Sequence, residues 1–131
     1  MKTLYQLIQE NVRLGHWWIS PNGKVESPAN DMEYTHEHMT DRLFGKHLDS
    51  SQWPKTVFKK GWIRAGVYGT GMTLNFNKDM LNSKNKKGIL TLWKKFKPTM
   101  VAVDVRNSGG HLDSSIMLKT FEDFWERYGN D

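Results

Sequence analysis

The chain contains no cysteine. That excludes a disulfide framework, a thiolate metal site and a cysteine nucleophile. No apolar run approaches the ~18 residues that a membrane-spanning helix needs, so no membrane partner is expected. A secretory signal is excluded as well, because "LYQLIQ" is interrupted by Gln and followed by charge rather than by a small-residue cleavage site. Neither G-x-x-x-x-G-K-[ST] nor G-x-G-x-x-G occurs, so the common glycine-loop signatures of nucleotide binding are missing. Internal repeats, low-complexity tracts and domain linkers are absent from the pattern too.

What is present argues for a folded, basic protein. Six Trp, six Phe and four Tyr in 131 residues supply enough large apolar surface for a real core. Nineteen Lys and Arg against fourteen Asp and Glu leave a formal net charge of +5, which favours anionic partners, nucleic acid first.

Periodicity assigns the elements. Leu4, Leu7, Ile8 and Val12 fall on one helical face behind Thr3 as a cap, and Gly15 ends that helix. "HWWIS" and "KVES" read as two short strands around a Pro-Asn-Gly turn in which Gly23 supplies positive φ. A helical pattern runs from Met32 to Phe44, and a second short helix starts at Ser50 or Ser51. "GWIRAGVYGTGMTLNFN" is the clearest hairpin: Ile63, Ala65 and Val67 share one face, Trp62, Arg64 and Tyr68 the other. Ser83 is expected to cap a helix with Ile89, Trp93 and Phe96 on one stripe, and Pro98 lies just past its end. Val101, Val103 and Val105 alternate along a strand. After the loop "RNSGGHLD", Asp113 or Ser114 is expected to cap a last helix that turns Met117, Phe121, Phe124, Trp125 and Tyr128 inward. The resulting class is α+β: a small, largely antiparallel sheet with short helices.

Two basic regions are candidate nucleic-acid contacts. Residues 32–77 have the element order of a winged helix, two helices and then a hairpin, with Lys55, Lys59, Lys60 and Arg64 near its reading surface. Residues 84–97 carry Lys84, Lys86, Lys87, Lys94, Lys95 and Lys97 with no acid among them. Such cations repel one another unless a polyanion or solvent screens them. Trp17, Trp18, Trp62 and Tyr68 could stack bases, although aromatics in small sheets usually build the core.

Two other groupings carry less. His36 and His38 stand at i, i+2, which points their rings to different sides of a helix, whereas helical zinc sites use i, i+4. No nucleophile has a recognisable setting beside them, so no catalytic residue, metal or cofactor is assigned. Asp104, His111 and Asp113 flank the glycine-rich loop after a strand, a position more often filled by turn and cap residues.

The first ten residues, MKTLYQLIQE, resemble the capsid-targeting propeptide of internal head proteins of T-even-type tailed phages. Met1, Lys2 and Thr3 match its start, and Ile8-Gln9-Glu10 its Leu/Ile-x-Glu end. The resemblance implies cutting between Glu10 and Asn11 by the phage maturation protease, although a small residue is more usual than Asn11 after the cut. It divides the chain into residues 1–10, a cleavable peptide, and residues 11–131, one α+β domain. More loosely, "WISPNGK", a downstream His and "GWIR" before a hairpin resemble a pattern in small tailed-phage proteins of unassigned role. Together these resemblances imply a non-enzymatic protein packaged in the virion head and delivered with DNA to the host cytoplasm. There it would bind phage DNA or a host defence protein. A winged-helix nucleic-acid-binding protein acting in the infected cell is the alternative, and a small His-dependent enzyme trails both.

Overall fold

A computed structural model describes residues 15–26 and 53–129, the side chains of 15, 16 and 53–55 excepted. The expected helices over 3–12 and 32–44, the His36/His38 pair and the processing residues Ile8, Glu10 and Asn11 lie outside those residues. Within them the fold is α+β, as the sequence predicts. The elements are β1 (Gly15–Ile19), β2 (Val25–Glu26), α1 (Trp53–Lys59), β3 (Ile63–Tyr68), β4 (Gly71–Asn77), a 3-10 turn (Lys78–Met80), α2 (Ser83–Phe96), β5 (Met100–Arg106), β6 (Leu112–Leu118) and α3 (Phe121–Tyr128).

The six strands form one sheet in the order β2-β1-β3-β4-β5-β6. Four pairings are antiparallel, and β4–β5 is parallel, with α2 as the crossover between them. Alternation decides which side of each strand is dry. Ile63, Ala65, Val67, Met72, Leu74, Phe76, Val101, Val103 and Val105 all point to one face and are buried. There they meet Ile89, Leu92 and Trp93 of α2 and Phe124 of α3 in a single cluster. The opposite face carries the row Trp18, Arg64, Asn75, Asp104 and Ser115, aligned across five strands by register. α1 covers part of that second face: Val57 and Phe58 are buried, and Phe58 lies 6.4 Å from the Trp18 ring.

Local chemistry places α2. Asn82, not the expected Ser83, is its N-cap, accepting from the Lys84 and Asn85 amides at 2.9 Å, while Asn85 Oδ1 accepts the Asn82 amide at 2.9 Å. This is a capping box with Asn where Glu or Gln is usual. Asn82 Nδ2 also donates to the Pro21 carbonyl at 3.0 Å, tying the helix start to the β1–β2 turn. In that turn Gly23 takes φ 91°, as the Pro-Asn-Gly pattern predicts. Gly88 is required where α2 crosses β1, because a Cβ there would stand 2.5 Å from Ile19 Cγ2. Lys97, in the left-handed conformation at φ 46°, closes the helix just before Pro98.

Two further expectations need correction. Residues 112–118 are a strand, β6, and the last helix begins only at Phe121, capped by Thr120 Oγ1, which accepts the Asp123 amide at 3.1 Å. Met117 therefore does not enter the core; it is 59% exposed on the sheet's edge strand. Secondly, the β3–β4 hairpin is no projecting wing. β3 is flanked by β1 and β4 by β5, so the hairpin forms the centre of the sheet and its strands have no free edge to lay along a nucleic-acid backbone.

Candidate nucleic-acid interface

The sheet separates the two basic regions that the sequence singles out. α2 packs on the dry face, and α1 and Arg64 on the other, so the ten candidate cations do not form one surface. At 3.6 residues per turn, positions 84, 87, 91, 94 and 95 fall within about a 100° arc on the side of α2 away from the core. Lys84, Lys87, Thr91, Lys94 and Lys95 are indeed exposed, and so is Lys97 at the end of the helix. With a rise of ~1.5 Å per residue, this row of ammonium groups runs about 20 Å from Lys84 to Lys97. Thr91 occupies the gap and bonds back to the Lys87 carbonyl at 3.0 Å.

Lys86 is withdrawn from that row. It is 1% exposed, and its Nζ stands 5.2 Å from the centroid of the Trp125 ring on α3. Its stem fills the α2–α3 seam and its charge rests on an aromatic face, a packing role rather than a phosphate contact. Lys95 is divided between the two roles. It is exposed, yet its Nζ lies 4.5 Å from the Trp17 ring and 5.5 Å from Phe96. Lys94 and Lys95 also sit in the last turn of α2, where cations offset the negative end of the helix dipole.

The second basic group is differently placed. Lys59 and Lys60 are exposed at the end of α1, and Lys55 lies on the same helix with its side chain undescribed. Arg64 is half-buried on the wet face. Its guanidinium pKa is lowered, chiefly by burial and further by Arg106, with Tyr68 opposing the shift through charge and a hydrogen bond. Arg106 is itself held in place: Nε donates to Asn75 Oδ1 at 3.0 Å and Nη1 to the Gly110 carbonyl at 2.8 Å, with the guanidinium 5.2 Å from the Phe58 ring. These arginines organise the sheet surface rather than offering a row of mobile cations.

The loop after β5 is explained by turn chemistry. Asn107 Oδ1 accepts the amides of Gly109 and His111 at 2.9 and 3.1 Å, and Asn107 Nδ2 donates to Asp113 at 3.3 Å. Asp104 accepts the Ser115 hydroxyl at 2.6 Å across the β5–β6 pair, away from that turn. Among the candidate stacking aromatics, Trp18 is buried, Trp17 and Trp62 are half-buried, and Tyr68 is 45% exposed. Among the described residues no group of three His, Asp or Glu could hold a metal, and no helix is long and apolar enough to cross a membrane.

One feature beside the lysine row was not legible in the sequence. A cleft of about 330 Å³ opens between the C-terminal end of α2 and the start of α3. Its lining includes Trp93, Pro98 and Phe121 as well as Lys94, Lys97 and Lys119. The signal that could have found it is Lys119, a cation just before a capping Thr, but only the tertiary fold brings it to Lys94 and Lys97. Searches among known protein families, curated proteins and solved structures give no match to this chain.

Proposed function

We propose that this chain is a non-enzymatic DNA-binding protein that contacts the phosphate backbone through the outward row of α2, namely Lys84, Lys87, Lys94, Lys95 and Lys97. The observation that carries this reading is that five exposed lysines share one side of the molecule with no acidic residue in the helix between them. A row of ammonium groups can neutralise the phosphates of a nucleic-acid backbone, and it reads no bases. Sequence-independent, salt-sensitive binding is the expected behaviour. In a titration of a labelled duplex at several salt concentrations, log K should fall linearly with log salt with a slope of about −4.5, since each of the five phosphate contacts contributes about −0.9. A flat response, or no binding at low salt, contradicts the reading and directs attention to a host defence protein as the partner.

The N-terminal resemblance supplies the setting: a phage protein carried in the head with the genome and freed of residues 1–10. Cutting after Glu10 removes Lys2 and Glu10, one charge of each sign, so the body keeps a net charge of +5 for packing among phosphates. Intact-mass analysis of the protein recovered from purified phage particles tests this. A chain beginning at Asn11 is the expected result. A chain beginning at Met1, or none in the particle, leaves a DNA-binding protein acting in the infected cell.

A further inference from the structure

We infer that the cleft between α2 and α3 binds a single unpaired nucleotide, its base against the apolar floor and its phosphate among the rim lysines. The proposal rests on the DNA-binding reading and extends it from the backbone to one exposed base. Three observations carry it. The cleft is large enough for one small ligand, at about 330 Å³, near the lower bound of ligand pockets. Its floor is aromatic and apolar, with Trp93 and Phe121 meeting edge to face at 5.7 Å and Pro98 buried beside them. Its rim brings together Lys94 and Lys97 from the end of α2 and Lys119 from the residues just before α3.

That combination selects an anion joined to a flat apolar group. A simple phosphate has no use for the floor, and a neutral apolar ligand has none for three ammonium groups. A nucleotide satisfies both, and every base offers a π-face irrespective of its identity. The cleft also adjoins the lysine row, sharing Lys94 and Lys97 with it, so a strand lying along α2 would deliver its end to this spot. In an intact duplex the bases are stacked inside and cannot reach the floor. The cleft therefore recognises overhangs, frayed ends and single strands.

Glu122 is the opposing term. It also lines the cleft, is exposed, and sets one negative charge against the three lysines. This residue makes the proposal separable from general stickiness, because neutralising it should help a ligand that enters the cleft more than one that does not.

The test compares a labelled blunt duplex with the same duplex bearing a four-thymidine overhang, using the full chain at ~0.1 M salt. The overhang should bind about tenfold more tightly, the scale expected for stacking one base. Lys119→Gln should weaken overhang binding several-fold more than blunt-duplex binding, since Lys119 lies in the cleft and outside the α2 row. Glu122→Gln should strengthen overhang binding about threefold and blunt-duplex binding by less, as one removed charge of a partly screened set implies. Competition by thymidine monophosphate distinguishes the source: displacement of the overhang assigns the cleft to free nucleotides, and no displacement assigns it to strand ends. Equal affinity for both duplexes, with salt-sensitive binding intact, overturns the cleft and spares the DNA-binding reading. Failure to bind either duplex overturns both.

Discussion

Replacing Lys84, Lys87, Lys94 and Lys97 together with Gln should lower duplex affinity by about 3.6 orders of magnitude at ~0.1 M salt. The size follows from counterion release. Each lysine that neutralises a phosphate contributes about 0.9 to the slope of log K against log salt. Four such residues account for a slope change of about 3.6, and hence for roughly that many decades between 0.1 M and 1 M salt. The fold should survive, because all four side chains are exposed and surface changes seldom alter stability by more than ~0.5 kcal/mol. Lys94, near the negative end of the helix dipole, can add a few tenths more. The matched control is Lys59→Gln with Lys60→Gln on the far side of the sheet, compared with Lys87→Gln and Lys94→Gln. The α2 pair should flatten the slope by about 1.8, and the α1 pair should leave it nearly unchanged. Equal effects from the two pairs would mean that overall charge, not the α2 row, drives binding.

Phe124→Ala should have the largest effect on stability, about 3–5 kcal/mol. Phe124 is fully buried and is where α3 is keyed into the core. Its ring lies 6.0 Å from Phe76 at 88°, 6.0 Å from Trp93, 5.9 Å from Phe121 and 5.2 Å from Tyr128. Truncation removes the transfer energy of the ring and leaves a cavity whose walls, rigid strand β4 and helix α2, cannot collapse to fill it. For a chain of this length the melting temperature should fall by roughly 10–20 °C in calorimetry. The same change should loosen the cleft, because Phe121 loses its neighbour, while leaving the lysine row of α2 in place. Overhang preference should therefore be lost below the new melting temperature, and blunt-duplex binding retained.

The parts of the fold that the sequence made legible are those where burial on one face imposes a strict period. Ile63, Ala65 and Val67, then Met72, Leu74 and Phe76, then Val101, Val103 and Val105 alternate with polar or small residues because each strand has one dry side. α2 was legible from its 3.6-residue stripe and from Pro98 beyond its end. β6 was not. It is an edge strand whose residues are mostly exposed on both faces, so no alternation marks it, and the spacing of Met117 with Phe121, Phe124 and Tyr128 imitates a helical stripe. Lys86 misled for a related reason. A lysine in a basic run reads as solvated, and only α3, folding back with Trp125, gives its stem a buried seat. The winged-helix expectation failed on connectivity: element order along the chain does not reveal that β1 and β5 flank the hairpin. For the same reason the sequence does not reveal that the two basic runs lie on opposite sides of a sheet.

The central claim is that the outward side of α2 is the DNA-contacting surface. Amide chemical-shift mapping of the full chain during titration with a short duplex tests it most directly. The account predicts that the shifting resonances cluster at residues 84, 87, 91 and 94–97, with Lys119 joining them only when an overhang is present. Shifts confined to residues 59–64 and the row of Arg64, Asn75 and Asp104, with α2 silent, would contradict it and place the interface on the other face of the sheet.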